Sequence, residues 1–135
     1  MTTFIDTNII VYLLQESSPF HDWAKNAVAN ADPPIIASDI VYSELSIGMA
    51  DIAETDAAIS NLAIERLPFS NDALFLAGRA YKKHCENGGS KSNVLSDFLI
   101  GAQAQAEEAP LLTNDVKNYK SYFPAVVLIK PPKVT

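Results

Sequence analysis

Four acidic side chains stand where chemistry is easiest to build. Asp6 and Asp115 each directly follow a short apolar run, Phe4-Ile5 and Leu111-Leu112, so each belongs at the carboxyl edge of a sheet. Glu44 lies about two turns into a helix that itself follows a strand, and Asp97 lies at the start of another helix. Parallel α/β folds gather ligands at the carboxyl ends of their strands, so all four acids can point into one cleft. Four ionised carboxylates there repel: at 4 Å and an effective dielectric of about 20, each like-charge pair costs about 4 kcal/mol. A few such pairs rival the roughly 5–15 kcal/mol stability of a whole domain. The cluster therefore implies protonation or a cation. All-oxygen ligation, with no His or Cys nearby in sequence, favours Mg²⁺ or Mn²⁺ over zinc. Such ions activate water and stabilise the charge that develops in phosphodiester cleavage. Taken singly, each acid has a simpler use: Asp6 as a helix cap, Asp97 at a helix's positive end, Asp115 in a turn and Glu44 as a solvated helix residue. It is the joint placement that points to phosphoryl chemistry.

The elements that must position these acids are short strands alternating with helices. Phe4 and Ile5 read as a buried strand, and Ile9 to Leu14 as the helix after Asp6. Ser18-Pro19 is expected to open a helix through Ala24, Ala27 and Val28, ending at Asp32-Pro33-Pro34. After a strand at Ile35 to Ala37, Ser38 or Asp39 caps a helix whose Val41, Leu45 and Met49 recur at spacing four. Thr55 is expected to cap the next helix, with Ala58, Ile59 and Leu62, and Ile64 to Leu67 forms a connector or strand. Ser70 or Asn71 begins a longer helix that Asn87-Gly88-Gly89 ends, before a flexible-looking loop at Ser90 to Asn93. An alanine-rich helix runs from Val94 or Ser96 to Ala109 with Asp97 in its first turn. Leu111-Leu112 is a strand, Thr113-Asn114-Asp115 its turn, Lys117 to Tyr122 a short helix and Ala125 to Ile129 a last strand. No NG or DG hairpin signal occurs, which points to an α/β fold with a parallel sheet.

Length and composition agree with one domain over residues 1–135. At this size a chain buries roughly 68–70% of its unfolded surface and needs no disulfide or structural metal. Hydrophobic residues make up 48% and charged ones 19%, which excludes disorder. The longest apolar run, Ile9 to Leu14, is far short of the ~20 residues that span a bilayer, so no membrane association is expected. No signal peptide is read at the start, and the single cysteine, Cys85, excludes an internal disulfide and a Cys-based zinc cluster. A reducing cytoplasm fits these features. The formal net charge of −6 ordinarily argues against a nucleic-acid partner.

Four segments carry a more specific signal. Phe4-Ile5-Asp6-Thr7-Asn8-Ile9-Ile10, Ser43-Glu44-Leu45, Ser96-Asp97-Phe98-Leu99-Ile100-Gly101-Ala102 and Leu111-Leu112-Thr113-Asn114-Asp115 together resemble the four acidic motifs of the PIN domain, in order and across nearly the whole chain. In particular they are similar to VapC-type toxins of bacterial type II toxin–antitoxin systems. The resemblance implies a three-layer α/β/α sandwich around a mainly parallel sheet, and a Mg²⁺- or Mn²⁺-dependent endoribonuclease. It implies that Asp6, Glu44, Asp97 and Asp115 are the metal-binding and catalytic acids, with Asp6 and Asp97 touching the ion directly. Asn8 and Thr113 match positions that orient the acids or the water. The implied partners are an RNA substrate, a second copy of the chain in a homodimer and a cognate VapB-type antitoxin. One departure is Gln103, where close relatives often carry His, a difference that bears on local packing or substrate choice.

The remaining candidates are weaker. Arg79, Lys82, Lys83 and Lys91 place four of the ten basic residues within thirteen positions, as RNA phosphate contacts or as a solvated helix end. Lys117 and Lys120, close after Asp115, are further phosphate neighbours. His21, His84 and Cys85 read as surface or packing residues, and Tyr12, Phe20 and Trp23 as packing or dimer-surface aromatics. A haloacid-dehalogenase-like phosphatase also places an Asp after its first strand, but wants a second Asp two residues later, where this chain has Asn8. A PIN-family nuclease in RNA processing outside a toxin–antitoxin pair, a PIN-like domain that only binds, and a receiver domain complete the rivals. A receiver clusters two acids before its first helix and needs a Lys after a late strand, a pattern this chain does not match.

Overall fold

A computed structural model gives the fold over residues 2–89 and 94–133. The Ser90 to Asn93 loop and Lys91 lie outside these described residues. In chain order the elements are β1 (Thr3–Ile5), α1 (Thr7–Leu14), α2 (His21–Asn30), β2 (Ile35–Ala37), α3 (Asp39–Ser46), α4 (Ile52–Asn61), β3 (Ile64–Arg66), α5 (Asn71–Glu86), α6 (Val94–Ala106), β4 (Leu111–Leu112), α7 (Lys117–Tyr122) and β5 (Leu128–Ile129).

The five strands form one sheet in the order β3-β2-β1-β4-β5, every pair parallel. Phe4 sits at its centre, in register with Ile36 on one side and Leu111 on the other. All residues of β1, β2 and β4 are buried, which is why these strands read as unbroken apolar runs. The chain steps outward from β1 to β2 to β3, then crosses back to add β4 and β5 on the far side. Right-handed crossovers put the helices of these two excursions on opposite faces, giving the α/β/α sandwich. The direction of winding reverses between β1 and β4. That reversal opens a crevice at their carboxyl ends, the place where such sheets bind ligands.

Local chemistry explains most helix starts. Ser38 and Ser70 cap α3 and α5 by accepting from Val41 N and Ala73 N at 3.2 and 3.1 Å. Two expected caps are corrected. Ser18 Oγ instead accepts from Phe20 N at 3.2 Å, closing a tight turn, so α2 starts at His21 without a side-chain cap. Asp51 caps α4 through Glu54 N at 2.8 Å, and Thr55 lies inside that helix with its hydroxyl donating back to Asp51 O. Met49 falls beyond the end of α3, so only Val41 and Leu45 form the buried row of that helix. α6 stops at Ala106, three residues short of the expected Ala109, and β5 is confined to Leu128–Ile129.

α6 is the central helix of its layer, buried at Phe98, Ile100, Gly101, Ala102, Gln103 and Ala104. Small residues there admit neighbours at close range. A Cβ on Gly101 would lie 2.6 Å from Phe123 Cδ2 and 3.0 Å from Tyr119 Cδ1, so the missing side chain is what lets the α7 segment lie directly on α6. Gln103 Nε2 donates to Leu67 O at 2.9 Å, tying α6 to the loop before α5, while its buried Oε1 has no partner among the described residues. None of the described helices is long and apolar enough to cross a membrane.

Candidate active site

Asp6 ends β1 and begins α1, and both roles fix it. Its backbone N–H donates to Leu112 O at 2.9 Å, continuing the ladder with β4, while its Oδ1 accepts from Thr7 N at 2.8 Å as the N-cap of α1. The carboxylate is 5% exposed. Its other oxygen, Oδ2, accepts from the Thr113 hydroxyl at 2.7 Å and from the Tyr119 hydroxyl at 2.9 Å. Burial pushes the Asp6 carboxyl above its usual range, and the Asp115 charge adds to the rise. The bonds from Thr113, Tyr119 and Thr7 act in the opposite direction.

The other acids connect to this point through different neighbours. Asp115 follows β4 and is exposed; its backbone N–H donates to Thr113 Oγ1 at 3.0 Å, so one hydroxyl bridges both acids' segments. Asp97 lies in the first turn of α6, half-buried, and its charge reaches the Tyr119 phenol. Burial first, then the Asp6, Asp97 and Asp115 carboxylates, drive that phenol far upward, so it stays protonated and remains a donor. Glu44, half-buried on α3, accepts from the Thr7 hydroxyl at 2.8 Å. Thr7 thus touches two acids at once, Asp6 through its N–H and Glu44 through its hydroxyl. Contacts of α3 with both α1 and α6 draw the Glu44 helix toward the β1–β4 crevice.

The supporting positions behave differently from one another. Thr113 orients acids directly. Asn8 instead accepts from Asn114 N at 3.1 Å through Oδ1, pinning the turn after β4, and Tyr12 reinforces it by accepting from Asn114 Nδ2 at 2.8 Å. An Asn engaged in this way is no substitute for the second acid that a haloacid-dehalogenase-like phosphatase needs. Sequence reasoning missed Thr7 and Tyr119. Thr7 is signalled only by adjacency to Asp6. Tyr119 carries no local signal beyond the rule that a buried tyrosine hydroxyl finds a partner.

The candidate basic residues within the described residues are all exposed. Arg79, Lys82 and Lys83 are exposed along α5, with Arg79 lying 4.8 Å from the Phe75 ring centre, and Lys117 and Lys120 are exposed on α7. His21 Nδ1 bonds Tyr12 O at 2.8 Å, and the His84 ring packs edge-on against Phe98 and Tyr122, so both histidines are structural. Cys85 is a half-buried free thiol.

Among the described residues, no three acidic, histidine or cysteine side chains lie together so as to hold a metal ion. Zinc and calcium take most of their ligands from protein, whereas Mg²⁺ keeps several waters and is held by one or two carboxylates together with substrate phosphate. The buried Asp6 and the Asp115 carboxylate, whose charge raises the Asp6 pKa, are oxygen donors of the kind such an ion takes.

The sequence profile of the PIN domain matches residues 3–122. The chain belongs to the PIN-domain family, in its VapC branch. It is 30% identical over 125 residues to ribonuclease VapC2 of Rickettsia felis, covering 89% of this chain and 91% of that one. Its fold is similar to that of VapBC2 from Rickettsia felis bound to a fragment of promoter DNA, with a TM-score of 0.70 and 25% identity over 96% of this chain and 98% of that one. It is also similar to VapBC-1 from nontypeable Haemophilus influenzae, with a TM-score of 0.73 and 23% identity over the same shares of the two chains.

Proposed function

We propose that this PIN-domain protein is a Mg²⁺- or Mn²⁺-dependent endoribonuclease and the toxin of a type II toxin–antitoxin pair. The observation that carries this reading is a buried Asp6 at the winding reversal of the sheet, with Asp115 raising its pKa, Asp97 acting on the same Tyr119 phenol that bonds Asp6, and Glu44 held on the neighbouring Thr7. Asp6 and Asp97 hold the ion, and Glu44 and Asp115 complete its surroundings or activate water. When bound, the ion supplies a more acidic water and stabilises charge at the phosphate under attack. Thr113 and Thr7 keep Asp6 and Glu44 in place through the hydroxyl bonds described above. The exposed cations Arg79, Lys82, Lys83 and Lys117 contact RNA phosphates, a role that suits their lack of ion-pair partners among the described residues.

The partner reading has its own support. A groove of about 630 Å³ runs beside Glu44, lined by apolar side chains that include Val11, Leu14, Leu45, Ile47 and Met49. Ile47 is 85% exposed, a large apolar side chain for a free surface. We assign this groove to a segment of a VapB-type antitoxin, by analogy with the toxin–antitoxin complexes of similar fold. A homodimer is the assembly we propose, with exposed Leu74 and Phe75 on α5 offering apolar contact area.

The test is Asp6→Asn and Asp97→Asn, assayed for Mg²⁺- or Mn²⁺-dependent cleavage of RNA and for growth arrest on expression. Both activities should disappear. Full activity in either variant overturns the assignment.

A further inference from the structure

The buried Tyr119 hydroxyl enters none of the roles above except as a donor, and its geometry says which oxygen of Asp6 is left for an ion. Tyr119 is 0% exposed, and its ring is held by packing against α6 at Gly101, independently of the hydroxyl. That hydroxyl donates to Asp6 Oδ2 at 2.9 Å, the same oxygen that receives the Thr113 hydroxyl at 2.7 Å. A carboxylate oxygen offers about two lone-pair sites. Oδ2 is therefore filled. Among the described residues Oδ1 receives one bond, from Thr7 N at 2.8 Å, which leaves one of its lone-pair sites unused by them.

We infer that Tyr119 is a positioning residue: with Thr113 it saturates Oδ2 of Asp6 and makes the carboxylate a one-oxygen ligand that meets the divalent ion through Oδ1. The inference rests on the metal-dependent reading proposed above and specifies how the chain presents its most buried acid. Two neutral hydroxyls on one oxygen also fix the plane of the carboxyl group, so the ion meets an acid that has no rotamer to search. Outer-shell partners of this kind typically set metal affinity by about 10–100-fold.

The test is Tyr119→Phe, which keeps the ring against Gly101 and removes only the donor. Mn²⁺ binding is measured by calorimetry and by electron paramagnetic resonance, alongside urea unfolding in EDTA to show that the variant is folded. About tenfold weaker Mn²⁺ binding by a folded variant is expected. Unchanged or tighter binding overturns the inference and leaves the ribonuclease reading standing. Failure of the wild-type protein to bind Mn²⁺ overturns both. A crystal structure of the wild-type protein with Mn²⁺ gives a readout that does not depend on the variant's folding. Coordination through Asp6 Oδ1 alone, with Tyr119 still on Oδ2, supports the inference; an ion on Oδ2 or on both oxygens refutes it.

Discussion

Replacing Gly101 by alanine tests whether the close approach of α7 to α6 is what builds the site. The ideal Cβ would stand 2.6 and 2.9 Å from Phe123 Cδ2 and Cε2, and 3.0 Å from Tyr119 Cδ1. Carbon atoms pack at about 3.5–4.0 Å, so the Phe123 ring or the α7 segment must retreat by roughly 1 Å. Neither is a flexible side-chain tip: Phe123 is 2% exposed and Tyr119 0%. Overpacking of this kind costs about 1–3 kcal/mol. Alanine in a helix interior recovers about 1 kcal/mol relative to glycine. The net is a loss of about 0–2 kcal/mol, small enough for the protein to fold. The functional effect should be larger, because a retreat of 1 Å stretches the 2.9 Å bond from Tyr119 to Asp6 past hydrogen-bond range. Urea unfolding and single-turnover RNA cleavage on the same preparation separate the two effects. Modest destabilisation with cleavage reduced by at least tenfold is expected. A variant stabilised by about 1 kcal/mol with full activity would show that α7 adapts freely and that the glycine is not what sets the site.

Other outcomes follow from single contacts. In metal-free buffer the raised pKa of Asp6 means that, between its unfolded value and its folded one, the folded protein holds more protons than the unfolded chain. Its contribution to stability is thus present at low pH and lost as pH rises through that window, at no more than about 1.4 kcal/mol per pH unit. The difference in urea stability between wild type and Asp6→Asn, measured in EDTA from pH 4 to 7, should fall with pH; a difference that rises contradicts the burial argument. Thr7→Val removes the 2.8 Å bond to Glu44 and should slow cleavage severalfold while changing stability by only about 1 kcal/mol; unchanged cleavage shows that Glu44 needs no orientation. Converting Lys82 and Lys83 together to Ala should reduce the slope of log binding against log salt by about 1.4 for single-stranded RNA, and an unchanged slope moves the RNA path off α5.

What the sequence reveals of this fold is what adjacent residues decide. Phe4-Ile5 and Leu111-Leu112 are fully buried strands because nothing polar interrupts them, and the acids that follow stand at the sheet edge for that reason. Ser38 and Ser70 cap as expected because each precedes its helix with a free backbone N–H in reach. Errors arise where two neighbours compete. Asp51 displaces Thr55 as the α4 cap because it lies one turn earlier, and Thr55 then bonds back to it. The least legible feature is the Asp6–Tyr119 bond, which joins residues 113 positions apart. A tyrosine in Lys117-Asn118-Tyr119 reads as an ordinary amphipathic residue until the sheet order sets β4 beside β1 and Gly101 admits its ring.

The acidity of the chain carries a further argument. Of the net −6, the four site acids account for −4, so the rest of the molecule is only mildly acidic. The ion pair among the described residues, Arg66 with Asp39 at 2.6 Å, is about half exposed and involves none of these acids. Asp6 meanwhile places a carboxyl group in the core, where burial and the charge of Asp115 raise its pKa. A helix cap does not explain that choice. Asparagine caps about as well as aspartate and would bring no charge into the interior. Nor does the ladder explain it, since the bond to Leu112 uses the backbone of Asp6 and not its side chain. What aspartate supplies at position 6 and asparagine does not is a second oxygen, and it is that oxygen pair that the structure uses: Oδ1 accepts from Thr7 N while Oδ2 accepts from the Thr113 and Tyr119 hydroxyls. An amide in the same place has one oxygen and would set its NH₂ against one of these donors.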